Sequence, residues 1–141
     1  MLVKQVMNRR VVTASPDITL KEASKVMSKL HIGSLVIVSE SKIVGILTST
    51  DILKSIANEK DPETTLAREV MSKDVKTIDP NTELDEAVLT MVTNKIKRLP
   101  VVSEGKIVGI ITASDIIVVE PKLIAKLAAL LSLKIPGYSG G

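Results

Sequence analysis

The chain has no cysteine, no tryptophan and no phenylalanine, and Tyr138 is its one aromatic residue. Without thiols it can form no disulfide, no thiolate metal site and no thiol nucleophile. A single histidine, His31, with no second histidine or cysteine beside it, leaves metal and triad chemistry short of parts. The scarcity of rings bears on recognition too: a flat ligand has to be held between aliphatic side chains and main chain, not stacked on aromatics. No apolar run reaches the roughly 18 residues that span a bilayer. Met1-Leu2-Val3-Lys4 opens no recognisable signal peptide, so a cytoplasmic location is expected. The carboxylates fall on turns, caps and helix faces without paired spacing. No catalytic residue and no metal ligand is assigned, and the chain is read as a non-enzyme.

What is present is ordinary in amount: 141 residues, 45% hydrophobic and 25% charged. That suits one compact domain or two small halves, with roughly 70% of the unfolded surface buried on folding. The core has to be built from Val, Ile, Leu, Met and Ala. A net charge of +3 and a pI near 9.2 favour anionic ligands. The lysines and arginines are scattered, so nucleic acid is not specifically implied.

Internal repetition organises the chain. Val6-Met7 returns as Val70-Met71, Pro16 as Pro80, and Leu20-Lys21-Glu22-Ala23 as Leu84-Asp85-Glu86-Ala87. The run from Val38 to Ile46 returns from Val102 to Ile110, and Thr48–Asp51 returns as Thr112–Asp115. The shift holds at about 64 positions without a gap over about 48 of them, which identifies a duplicated unit. Met27 and Met91 fall at equivalent core spacing and read as packing residues.

Each unit reads as an extended segment, a helix, a two-stranded hairpin and a second helix. Leu20, Ala23, Met27 and Leu30 lie at helical spacing, with Asp17 and Thr19 at the start. The β-branched runs 34–38 and 42–47 flank a polar Ser39-Glu40-Ser41 turn. Thr48-Ser49-Thr50-Asp51 opens the next helix with residues suited to capping, and His31 sits where a cation is favourable at a helix end. The division expected is repeat 1 over 1–59, a linker over 60–67, repeat 2 over 68–119 and a helical tail over 120–141. In the tail Pro121 suits a first helical position, and Leu123, Leu127, Leu130, Leu131 and Lys134 follow at helical spacing. Such a helix either covers apolar surface of its own module or of a dimer mate, or meets a partner protein or membrane surface. A lone repeat is too small for an adequate core, so the expected fold is α/β: two tandem βαββα repeats packed through their sheets with pseudo-twofold symmetry, plus a C-terminal helix.

The two copies of Gly-φ-φ-Thr-x-x-Asp (φ apolar), at Gly45–Asp51 and Gly109–Asp115, resemble the signature of CBS domains. Val11-x-Thr13, Val75-x-Thr77 and the basic, Pro-containing Lys97-Arg98-Leu99-Pro100 resemble flanking motifs of that family. The resemblance runs from about Val3 to Val118. It implies a tandem regulatory module that takes AMP, ADP, ATP or S-adenosylmethionine as effector, requires no cofactor, pairs into homodimers and signals to an unidentified effector protein.

The residues themselves allow that chemistry. Asp51 and Asp115 are carboxylates able to accept from ribose hydroxyls, and Thr48 and Thr112, with Thr50 and Ser114 beside them, face sugar or phosphate. Free amides at the helix starts attract phosphate. Val11, Val75 and Leu99 offer aliphatic walls and backbone to an adenine edge, next to Thr13, Thr77 and Pro100. Lys97 and Arg98 add charge, where the first repeat has Gly33 and Ser34. The same Thr-x-x-Asp also makes a plain helix cap, and Lys97 and Arg98 also suit a solvated strand edge. A ligand-independent adaptor and a nucleic-acid-binding protein are the alternatives.

Overall fold

A computed structural model describes residues 1–131 of the chain; Lys134 of the expected tail helix lies outside them. The protein is mixed α/β. After a 3-10 turn at Val3–Gln5 come strand β1 (Thr13–Ala14), helix α1 (Leu20–Leu30), strands β2 (Ser34–Ser39) and β3 (Lys42–Thr48) and helix α2 (Ser49–Ala57). A short helix α3 (Ala67–Val70) precedes α4 (Leu84–Asn94), β4 (Arg98–Ser103), β5 (Lys106–Thr112) and α5 (Ala113–Val119). The tail forms α6 (Ile124–Leu131) after a 3-10 turn at Pro121–Leu123. No helix of the described residues is long and apolar enough to cross a membrane.

Local chemistry sets the element ends. Thr19 caps α1 by accepting from the Glu22 amide at 3.1 Å. The first helix of each repeat stops at a left-handed residue, His31 or Lys95, each at φ 54°. The following Ile32 and Ile96 amides donate back to the Met27 and Met91 carbonyls at 3.0 Å. Each hairpin turns on two left-handed residues, Glu40–Ser41 and Glu104–Gly105, the geometry that matches the twist of the flanking strands. One sheet has the order β1-β2-β3, with β1 parallel to β2; the other is the β4-β5 hairpin.

The described residues fold as two compact units: Val11–Val75, and Met1–Arg10 together with residues 76–131. These units group the chain differently from the sequence repeats, because the leading segment of each repeat is exchanged. Residues 1–8 join the hairpin of repeat 2, and residues 66–72 join that of repeat 1. The bonds match one for one. Val3 donates to the Thr82 carbonyl at 2.8 Å, as Ala67 does to Ile18 at 2.8 Å. Lys4 donates to Pro80 at 2.9 Å, as Arg68 does to Pro16 at 3.0 Å. Asn8 pairs antiparallel with Ile110, as Ser72 does with Ile46.

The exchanged segments complete the cores. In the discontinuous unit Val3 and Met7 are buried with Leu84, Met91, Leu99 and Ile111; α6 adds Leu123 and Leu127 to the same cluster. In the continuous unit Ala67 joins Leu20, Met27, Leu35 and Leu47, with Val70 and Met71 packed against them. Burying a side chain the size of Val3 or Met7 stabilises by about 1.5–3 kcal/mol. The linker is anchored to α1 through Lys21, which donates to Glu63 at 2.9 Å, and α3 is tied to the residues preceding α1 through the Arg68 guanidinium on Asp17. The Glu63 hydrogen bond, and then its charge, raise the Lys21 pKa above the ordinary 10.5.

The glycine that opens each Gly-φ-φ-Thr-x-x-Asp motif lies beneath the incoming segment. A Cβ on Gly45 would stand 2.5 Å from Met71 Sδ and 2.9 Å from the Ser72 carbonyl oxygen. On Gly109 it would stand 2.6 Å from Met7 Sδ and 3.1 Å from the Asn8 carbonyl oxygen. A methionine tip can turn away, but a paired backbone carbonyl moves only with its strand. Gly45→Ala is therefore expected to destabilise the protein by about 1–3 kcal/mol, and Gly109→Ala by less; urea unfolding midpoints of the two variants check the order.

Candidate functional site

In each repeat the start of the hairpin and the Thr-x-x-Asp motif come together where the hairpin runs into its second helix. In the continuous unit Ser34 stands opposite Thr48, and Thr13 lies beside Val36 on the parallel strand. The Ser49 amide donates to the Gly33 carbonyl at 2.9 Å, tying the helix start to the beginning of β2. In the other unit Arg98 stands opposite Thr112, and the Ala113 amide donates to the Lys97 carbonyl at 2.9 Å. Val11 and Val75 begin and end the continuous unit.

Side chains alternate across a strand, so register sorts the candidates by face. Ser34, Val36 and Thr48 share one face with Thr13; Arg98, Pro100 and Thr112 share the equivalent face of β4-β5. Leu99, Val101 and Ile111 point the other way and are fully buried in the core cluster. Leu99 therefore cannot be the aliphatic wall expected from sequence; only its backbone remains available. Lys97 is exposed and Arg98 half-buried.

Both Thr-x-x-Asp motifs are reciprocal capping boxes. The Thr48 amide donates to Asp51 Oδ2 at 2.9 Å, while the Asp51 amide donates to Thr48 Oγ1 at 3.2 Å. The same bonds at Thr112 and Asp115 measure 3.3 and 3.1 Å. This changes the phosphate argument made from sequence. Of the three leading amides of α5, that of Ala113 is spent on Lys97 and that of Asp115 on Thr112, so the helix start is not the row of open donors expected. Each cap engages one carboxylate oxygen, Oδ2. Thr50 and Ser114, the middle residues of the motifs, are exposed.

Beside this corner, sequence analysis missed Asn8 and Ser72, whose main chains pair with Ile110 and Ile46, two positions before Thr112 and Thr48. The repeated Val-Met just before them was visible, but no spacing rule says which sheet such a segment joins. The repeats also differ in their extended segments. The Val36 amide donates to Val12 at 3.1 Å, and Thr13–Ala14 forms a strand. The equivalent of Val36 is Pro100, which has no amide hydrogen, and there the pairing shrinks to a single bridge between Ile78 and Val101. The sequence expectation of like extended segments is thus met only in repeat 1. Proline at that position removes the bond that would lengthen the second.

A cavity of about 120 Å³ lies elsewhere in the discontinuous unit, at the start of α4, bounded by Glu83, Asp85, Glu120 and Lys122; none of the expected ligand residues lines it. Among the described residues no group of three or more His, Asp or Glu side chains could hold a metal ion.

Comparison with known proteins gives the following similarities. The family model described as CBS domain matches twice, at residues 3–58 and 67–121. An uncharacterised protein of Methanopyrus kandleri is 42% identical over 87% of this chain, which spans 64% of that protein's length. A CBS domain-containing protein of Bacillus subtilis is 35% identical over 82% of this chain and 83% of its own. Among solved structures, the CBS domain pair of protein MJ0100, in complex with 5-methylthioadenosine and S-adenosyl-L-methionine, superposes with a TM-score of 0.79. It is 34% identical, and the match covers 86% of this chain and 97% of that one.

The caps themselves can be tested by stability. Thr48→Ala and Thr112→Ala are each expected to cost about 0.5–2 kcal/mol, read from urea unfolding. A loss near zero in either would mean that the corresponding box is not formed in solution.

Proposed function

Because the chain belongs to the CBS domain family and carries two such domains in tandem, we propose that it is a regulatory module that binds an adenosine nucleotide or S-adenosylmethionine. The observation that carries this is the MJ0100 domain pair, which holds two adenosyl compounds and matches most of the present chain. The corner of repeat 2 suits such a ligand. Thr112 and Arg98 share a face, Asp115 keeps a second carboxylate oxygen for ribose hydroxyls, and Lys97 stands at the start of β4. With two leading amides of α5 already spent, a phosphate is met by the Lys97 and Arg98 side chains. The corresponding Gly33 and Ser34 bring no charge, so repeat 2 organises the better anion site. The ligand acts by preferring one arrangement of the module, and a near-complete shift needs roughly 5.5 kcal/mol of preference. The module works in the cytoplasm on an effector protein and catalyses no reaction.

Titration calorimetry with AMP, ATP and S-adenosylmethionine is expected to give binding with at least one of them. Asp115→Ala should weaken that ligand about tenfold or more, and Asp51→Ala, which removes the matching cap, should weaken it less. Loss of the Lys97 and Arg98 side chains together should hurt AMP more than adenosine. Unchanged affinity in folded Asp115→Ala refutes the ribose assignment. No heat and no thermal shift with any of the three favours a ligand-independent adaptor, a reading in which the capping boxes are purely structural.

We also propose a homodimer. Leu53 and Ile56 on α2 are more than half exposed, as is Leu89 on α4, where a monomer would ordinarily place polar residues. Light scattering coupled to gel filtration should give the mass of two chains, and Leu53→Glu or Leu89→Glu should reduce it to one. A wild-type chain that runs as a monomer at tens of micromolar overturns this.

A further inference from the structure

Each exchanged segment rests a methionine on a bare strand, and the two methionines differ in access to solvent. A Cβ on Gly45 would meet Met71 Sδ at 2.5 Å and Cγ at 2.8 Å, so the thioether lies directly against the main chain of β3. Met71 follows α3, and its amide closes on the Ala67 carbonyl at 2.9 Å. The next residue, Ser72, exchanges both main-chain bonds with Ile46, at 2.9 and 3.0 Å. Of the chain's five methionines, Met27 and Met91 lie inside the cores, and Met7 is buried where it crosses Gly109. Met1 is 52% exposed and belongs to neither core cluster. Met71 alone combines partial exposure with a place against a core.

We infer that Met71 is a redox-sensitive latch: oxidation of its sulfur by hydrogen peroxide releases the exchanged segment 66–72 from the hairpin of repeat 1. In that step the peroxide O–O bond breaks and one oxygen bonds to Sδ through a sulfur lone pair. The thioether loses two electrons to become a sulfoxide, and the peroxide leaves as water. The oxidant has to reach the sulfur, which puts Met71 ahead of the three buried methionines. A sulfoxide is polar, and the cluster beside it, with Leu20, Leu35, Leu47 and Ala67, has no side chain that donates a hydrogen bond. Gly45 has no side chain that could turn aside, so added bulk at Sδ is met by the strand itself. The equivalent crossing at Met7 stays closed, and one unit loosens while the other keeps its leading segment. Methionine sulfoxide reductases reverse the step, a dithiol becoming a disulfide as the oxygen leaves in water.

The test treats the full chain with hydrogen peroxide, reads oxidation at each methionine from peptide masses, and follows the Ile46 and Ser72 amides by hydrogen exchange. Oxidation is expected at Met1 and Met71 before Met7, Met27 and Met91. With Met71 oxidised, the Ile46 and Ser72 amides should exchange about tenfold or more faster. The Asn8 and Ile110 amides, which make the equivalent bonds over Gly109, should keep their rates. Met71→Leu, close in volume and without sulfur, should be unmoved by the same treatment. Both methionine sulfoxide reductases with dithiothreitol should restore slow exchange to the oxidised wild-type chain. The inference is overturned if Met71 is oxidised no sooner than Met7, or if Ile46 and Ser72 exchange is unchanged in chains carrying Met71 sulfoxide. It is equally overturned if Met71→Leu loosens under peroxide as the wild type does, or if exchange stays fast after the sulfoxide is reduced. Equal acceleration at both crossings also sinks it, because the loss is then global and not the release of one segment.

Discussion

The fold depends on two close crossings. A segment entering from the other repeat lays a methionine and a carbonyl over a strand, and the space it needs is the volume of one Cβ. Gly45 under Met71 and Ser72, and Gly109 under Met7 and Asn8, provide that space. Neither glycine has a left-handed backbone that would require it on conformational grounds; each is required by what passes above it. The glycine in the repeated Gly-φ-φ-Thr-x-x-Asp pattern is therefore a packing residue. Its partner is the Val-Met pair at the head of the other repeat. Two motifs that seem independent along the sequence are halves of one contact.

Exchange has a consequence for how the two units are joined. Ser72 is paired with Ile46 in the continuous unit, and Ile78 is bridged to Val101 in the other, so residues 73–77 carry the chain directly from one sheet to the next. Residues 9–12 do the same between Asn8, paired with Ile110, and Thr13, registered against Val36. These connections are short and anchored at both ends by backbone hydrogen bonds. They also hold Val11 and Val75, with Thr13 and Thr77 at their ends.

Much of this was legible in the sequence because duplication turns weak local signals into paired ones. The helices after Pro16 and Pro80, both hairpins and the capping residues followed from periodicity and from residue types with specific backbone roles. The exchange was not legible. Val3, Met7, Ala67 and Met71 are marked as apolar and repeated, but their partners are separated from them in sequence, and a repeat carries the same pattern whether its head packs at home or away. The fate of Leu99 was hidden for a related reason. Its motif suggested a ligand wall, yet the register with Ile111 turns its side chain into the core, and register is set by the hairpin turn and the burial of Val101, not by residue 99. At the candidate site, the sequence identified Thr112 and Asp115 but not that their first obligation is to each other.

That obligation bears on what can distinguish the repeats. Thr48–Asp51 and Thr112–Asp115 make the same two bonds, so the cap contributes equally to both corners and cannot by itself favour one. Selectivity has to come from where the duplication has diverged. On the face that holds the candidate residues, β2 begins with the neutral Ser34 and continues to Val36, whose amide closes onto Val12. The equivalent strand begins with Arg98 and continues to Pro100, which has no amide hydrogen to donate. Charge and a missing amide hydrogen therefore fall on the same strand, two residues apart, on a scaffold otherwise held constant by its crossings. A duplicated fold becomes an asymmetric one through a few residues that leave the core untouched, because the residues alternating with them, Leu99 and Val101, keep the packing of Leu35 and Ile37.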